Sequence, residues 1–208
     1  MRYMGDFARD STCTNHQLFA GTHIDVFFGR LLRALRSKNE NLNLLALRVI
    51  WNCSYGDPFA QKIFLERLGA GNILCHLRSN RESHVNRAAA VIANLTHLCR
   101  ENHAKIVAAQ PDFGDILVAQ ARDILGRGNK DLVVRLFTAG SNIAASGIKF
   151  SKNIVATATE VSTHFLDVHG PAVHEAALHL ICNISSRGVE ENGWKENGFE
   201  KARSIGKN

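Results

Sequence analysis

The chain has 208 residues, a net charge of +6, and 45% hydrophobic against 21% charged residues, a balance that fits a globular chain with a sizeable core and excludes disorder over most of its length. No run approaches the roughly 18 consecutive apolar residues of a membrane span, and Met1 to Asp6 opens no apolar signal segment. Five separated cysteines without a CxxC pair fit reduced thiols in a cytoplasmic or nuclear protein, with cytoskeletal association also open, better than a disulfide framework.

Strand-like alternation is absent and prolines number only three, so the expected class is all-α. A first short segment, Arg2-Tyr3-Met4-Gly5-Asp6-Phe7-Ala8, has helical character. Leu18-Phe19-Ala20-Gly21 then leads into an amphipathic helix from Ile24 to Leu35. Its apolar stripe is Phe27, Leu31, Leu32 and Leu35, and Arg30, Arg33 and Arg36 form a polar face. Leu45 to Ser54 reads as a second helix. Asp57-Pro58 opens a third, which breaks at Leu68-Gly69-Ala70-Gly71 and resumes as a short apolar helix, Asn72 to Leu77. The same grammar returns: Arg87 to Thr96, Glu101 to Val107, Asp112 to Ala119, Arg135 to Ala144 and Ala176 to Ser185. Val189 to Asn208 begins another unit but carries too few apolar residues to finish it, which suggests a cap or frayed end.

Four of these helices align on one asparagine. The rungs are Asn52, Asn94, Asn142 and Asn183, separated by 42, 48 and 41 residues. Asp6 takes the same place in the first segment, 46 residues before Asn52. Three helices per unit of about 40 to 47 residues is the period of armadillo and HEAT arrays. The glycine break, the short apolar helix after it and the third-helix endings Asn-x-Ser/Thr or Asn-Ile-Ala resemble armadillo repeats over residues 1–188. The resemblance implies a right-handed α-solenoid of four to five three-helix repeats, with units near 1–37, 38–79, 80–127, 128–168 and 169–188 and a partial repeat at 189–208. It also implies that the third helices line a concave groove.

An asparagine amide offers both a donor and an acceptor. A row of them suits the N–H and C=O groups of an extended peptide. Specificity then falls to neighbours on the same helical face. Four residues before the rungs stand Arg48, Ala90, Thr138 and His179. Seven before stand Leu45, Arg87, Arg135 and Ala176. The expected peptide-binding set is therefore Arg48, Asn52, Arg87, Asn94, Arg135, Thr138, Asn142, His179 and Asn183. Its charge favours an acidic, extended protein segment. Import adaptors of the importin-alpha kind place a tryptophan four residues before the asparagine, and that tryptophan is missing from all four rungs. Trp51 directly precedes Asn52 and is expected to point away from the face. The basic strip resembles the catenin-like arrangement instead.

The remaining motifs carry no chemistry. Asn52-Cys53-Ser54, Asn94-Leu95-Thr96 and Asn183-Ile184-Ser185 match the glycosylation sequon but fall inside helices. Cys75-His76 and His97-Leu98-Cys99 lack zinc-site spacing, and Cys53 and Cys182 beside the rungs are expected to be buried. Asp112-Phe113-Gly114 copies a kinase triplet without the rest of a kinase. The expectation is a non-catalytic interaction scaffold with no cofactor, metal or small-molecule substrate. Nucleic acid and membrane are the weaker partner classes, and association through open solenoid ends is allowed. A structural subunit of a cytoskeletal or ciliary assembly and a nuclear-import-type adaptor are the rival readings.

Overall fold

The computed structural model describes residues 21, 23–125, 127, 129–145, 156, 159–160 and 171–188. The segment from Arg2 to Ala8 and the closing stretch 189–208 lie outside them. Nine α-helices are present among the described residues: α1 Ile24–Leu35, α2 Glu40–Cys53, α3 Pro58–Leu68, α4 Gly71–Leu74, α5 Glu82–His97, α6 Glu101–Ala109, α7 Phe113–Leu125, α8 Lys130–Ala144 and α9 Pro171–Gly188. A 3-10 turn, Cys75–Arg78, follows α4 directly. The fold is all-α, and none of the described helices is long and apolar enough to cross a membrane.

Local chemistry sets the helix ends. Asn39 caps α2, accepting from the backbone N–H groups of Asn41 and Leu42. Asp57 caps α3 in the same way through Phe59 and Ala60, with Pro58 at the first helical position. Gly69 ends α3 at φ +74°, a left-handed conformation that suits glycine. The apolar helix expected from Asn72 is realised as one turn of α-helix and one tighter turn. Only nine residues separate the Gly69 break from the extended Ser79, and short helices commonly tighten at their ends. Asn129 caps α8 through the N–H of Leu132 and also donates to the Glu82 carboxylate at the start of α5.

The helices α2, α5, α8 and α9 carry the four rungs, and each packs on the next. Their apolar faces form one continuous core. Leu47 and Ile50 of α2, Ala88, Ile92 and Leu95 of α5, Leu136 and Ile143 of α8, and Ala177 and Leu180 of α9 are all buried. Two residues before the rung stand Ile50, Ile92, Gly140 and Ile181. Gly140 is the exception because its neighbours already fill the space: an added Cβ would lie 3.0 Å from Leu117 and 3.3 Å from Leu180.

Buried polar side chains close the turns. Gln61 donates to the Ser54 carbonyl at 3.2 Å and accepts from the Leu98 N–H at 3.2 Å. Asn102 donates to the carbonyls of Gln61 (2.9 Å) and Leu95 (2.8 Å), and Nε2 of His103 meets the Thr96 carbonyl at 2.6 Å. The carbonyls of Ser54, Leu95 and Thr96, at or near the ends of α2 and α5, are thereby satisfied from the first turns of α3 and α6, and the Leu98 N–H after α5 is satisfied by Gln61.

Candidate functional site

The rungs are joined by a repeated hydrogen bond. Asn94 Nδ2 donates to the carbonyl of Trp51 at 2.9 Å. Asn142 Nδ2 donates to the carbonyl of Ala93 at 3.0 Å and lies 3.2 Å from the Thr96 hydroxyl. Asn183 Nδ2 donates to the carbonyl of Ser141 at 3.1 Å and to its hydroxyl at 2.8 Å. In every case the acceptor carbonyl belongs to the residue just before the preceding rung. The ladder therefore ties third helix to third helix. All four rungs are half-buried. Oδ1 of Asn94 and of Asn142 accepts no hydrogen bond from the described residues, so each amide is engaged through its donor side.

The arginines lie along the same strip. Arg48 of α2 is exposed, whereas Arg87 of α5 and Arg135 of α8 are half-buried. The Arg87 guanidinium carbon sits 5.0 Å above the centroid of the Trp51 ring, a cation–π contact between α5 and α2. Arg135 reaches back from α8 to donate to the Asn86 side chain, next to Arg87. Burial, followed by the like charges of Arg135 and Arg48, pulls the Arg87 guanidinium below its ordinary range. Other arginines are neutralised: Arg67 by Asp25 (2.7 Å), Arg78 by Asp112 (2.6 Å), Arg81 by Glu40 (2.5 Å), Arg122 by Glu160 (3.3 Å) and Arg127 by Asp123 (2.8 Å). Among the described arginines that pair with no carboxylate, Arg87 and Arg135 are the half-buried ones.

Thr138 turns inward, its hydroxyl donating to the Val134 carbonyl at 2.7 Å, and His179 is exposed on α9. The position four residues before a rung is not uniformly open, because Ala90 is buried. Two expectations are corrected. Trp51 does not leave the strip. Its backbone is 100° round the helix from Asn52, but the wide indole meets the long Arg87 side chain from the next repeat. Cys182 is exposed rather than buried. It directly precedes its rung, whereas the buried Cys53 directly follows one, a position also buried at Leu95 and Ile143. Sequence periodicity missed Trp51, Asn86 and Ser141 as members of the strip. The one available signal is that Trp51 is the only aromatic residue directly before any of the four rungs.

Among the described residues no group of three or more histidine, cysteine or acidic side chains is placed to hold a metal ion. Asp112, from the kinase-like triplet, pairs with Arg78, and Phe113 is buried. The sequon asparagines Asn52, Asn94 and Asn183 lie within helices.

No family model and no curated protein matches the sequence. Solved structures do match. A designed armadillo repeat protein is similar at TM-score 0.68 and 18% identity, covering 99% of this chain and 79% of its own. A second designed armadillo repeat protein, in complex with the peptide (KR)4, is similar at TM-score 0.66 and 18% identity, covering 88% and 73%. An engineered protein is similar at TM-score 0.70 and 22% identity, covering 90% and 72%. The fold and the ladder thus define an α-solenoid of the armadillo type.

Proposed function

We propose that this chain is a non-catalytic protein-interaction scaffold that binds an extended acidic segment along the strip of Asn52, Asn94, Asn142 and Asn183. The observation that carries the reading is the contrast between arginines. Arg67, Arg78, Arg81, Arg122 and Arg127 are matched by carboxylates and Arg30, Arg33, Arg36, Arg48 and Arg100 are exposed to water, while Arg87 and Arg135 are half-buried beside the ladder with no carboxylate. Partly desolvated guanidinium groups favour an anion supplied from outside. The free acceptor sides of Asn94 and Asn142 suit the N–H groups of an extended backbone. A designed protein of this fold is seen with a basic peptide. The arginines of this chain reverse that preference, which also sets it apart from a nuclear-import-type adaptor and aligns it with a catenin-like strip. Thr138 and His179 flank the path.

Fluorescence anisotropy with one acidic and one lysine-rich labelled peptide tests the proposal. The acidic peptide should bind the parent protein. The triple variant Arg48→Glu, Arg87→Glu, Arg135→Glu should lose that binding. Equal binding of the acidic peptide by parent and variant rejects the strip.

A second reading is favoured by a different surface. Tyr55 is 70% exposed and Leu98 50% exposed, at the turns that follow α2 and α5. Such residues suit a structural subunit that makes its contacts away from the ladder. Tyr55→Ser with Leu98→Ser should then break assembly while the arginine variant assembles normally.

A further inference from the structure

The strip contains an aromatic face, and the protein occupies that face itself. An exposed indole beside a row of amides is a good seat for a lysine or arginine side chain, since the ring quadrupole attracts cations. Here the cation is already in place: the Arg87 guanidinium lies 5.0 Å over Trp51. Arg87 comes from the next repeat, and Arg135 reaches to Asn86, the residue beside it. A basic peptide arriving at Trp51 meets a filled ring and further positive charge. An acidic peptide meets a guanidinium already held over the indole, with less rotamer freedom left to lose on binding.

We infer that Arg87 is the selectivity residue of the strip, excluding cationic ligands by covering Trp51 and presenting its guanidinium to a carboxylate of the partner. This deepens the peptide-binding reading and rests on it for the carboxylate, while the covering of Trp51 stands on the geometry alone. Trp51 is a positioning residue for Arg87. It also becomes a latent cation seat once Arg87 is removed.

The experiment has two arms. In the first, the acidic and lysine-rich peptides are titrated against the parent protein, Arg87→Gln, and Arg87→Gln with Trp51→Leu. Arg87→Gln should weaken the acidic peptide by roughly tenfold, the lower range for one charge-assisted hydrogen bond. It should also gain affinity for the lysine-rich peptide, and the added Trp51→Leu should remove that gain. An unchanged acidic-to-basic preference in Arg87→Gln overturns the inference. If Arg48→Glu with Arg135→Glu still abolishes acidic binding, the peptide-binding reading survives that failure.

The second arm needs no peptide. Trp194→Phe leaves Trp51 as the single tryptophan, and its emission is followed while tetramethylammonium chloride replaces sodium chloride at constant ionic strength. The emission should respond in Arg87→Gln and stay unchanged in the parent and in Arg87→Lys, which keeps a cation near the ring. A parent response equal to that of Arg87→Gln, or no response in either, overturns the covering of Trp51. Circular dichroism confirms that each variant is folded.

Discussion

Asparagine serves the turns and the ladder of this molecule differently. At the turns, Asn43 and Asn102 are buried. Asn43 Nδ2 meets the carbonyls of Ala34 (2.8 Å), Leu35 (2.9 Å) and Ser37 (3.0 Å), and Asn102 Nδ2 meets those of Gln61 and Leu95. Along the third helices, Asn94 and Asn142 also donate to backbone carbonyls, and their oxygens, like that of Asn102, accept from nothing described; the difference is that they are half-buried, so water or a ligand can reach them. The chemistry is the same and the environment is not. Burial commits a turn asparagine to the fold, whereas half-burial leaves a ladder asparagine with capacity for a second partner.

Stability measurements separate the two groups. Asn102→Ala should cost about 2–4 kcal/mol, because two buried carbonyls lose their donor together. Urea unfolding followed by circular dichroism reads that loss. Asn142→Ala should cost only about 1 kcal/mol, since Ala93 is half-buried and the Thr96 hydroxyl keeps its own bond to the Ile92 carbonyl. Near-equal losses would mean that the ladder is as structural as the turns, and the binding proposal would lose its free amides.

A pH titration sharpens the link between the two regions. Thr96 belongs to both, with its carbonyl meeting His103 and its hydroxyl 3.2 Å from Asn142. Burial holds the His103 imidazole below its ordinary range. The Thr96 carbonyl opposes this by favouring the charged form, and Arg100 adds to the lowering. His76 is lowered too, first by burial and then by His84. Both groups take up a proton more readily in the unfolded chain, whose histidines titrate near about 6.5. Their neutral forms therefore support the fold fully above that pH, and stability falls as the pH drops through the folded values. The melting temperature should decline between about pH 7 and about pH 5, and decline less in His103→Gln. A decline of the same size in that variant would remove His103 as a cause.

The repeat was legible because stacking imposes a period, and a period survives in sequence. Asn52, Asn94, Asn142 and Asn183 mark it, and Asp57-Pro58 and Gly69 announce their turns through fixed backbone preferences. The direction of the ladder bonds was not legible. Spacing places an asparagine on a face but does not tell which repeat its amide meets. Trp51 was misplaced for a related reason. A helical wheel assigns angles to Cβ atoms, while the contact with Arg87 is made at the far ends of two long side chains. Cys182 departs from expectation because the positions before and after a rung lie 200° apart round the helix, so adjacency to the asparagine does not fix burial.

The smallest effect is expected where charge is most visible. Lys105 pairs with Glu66 at 2.7 Å and Arg67 with Asp25 at 2.7 Å, linking residues 39 and 42 positions apart in sequence. These pairs look like staples between repeats, but their side chains are 42–76% exposed. Exposed pairs gain little, because water screens them and ordering two long side chains opposes the gain. Lys105→Ala and Arg67→Ala should leave the urea midpoint unchanged within error. Salt provides the complementary check. Near about 1 M, where screening acts over roughly 3 Å, the midpoint should again hold. Acidic-peptide binding should nevertheless collapse, because Arg87 and Arg135 have no carboxylate of their own among the described residues and attract their ligand through solvent. A midpoint that falls with salt in step with binding would make the paired charges structural and erase the distinction between the two sets of arginines.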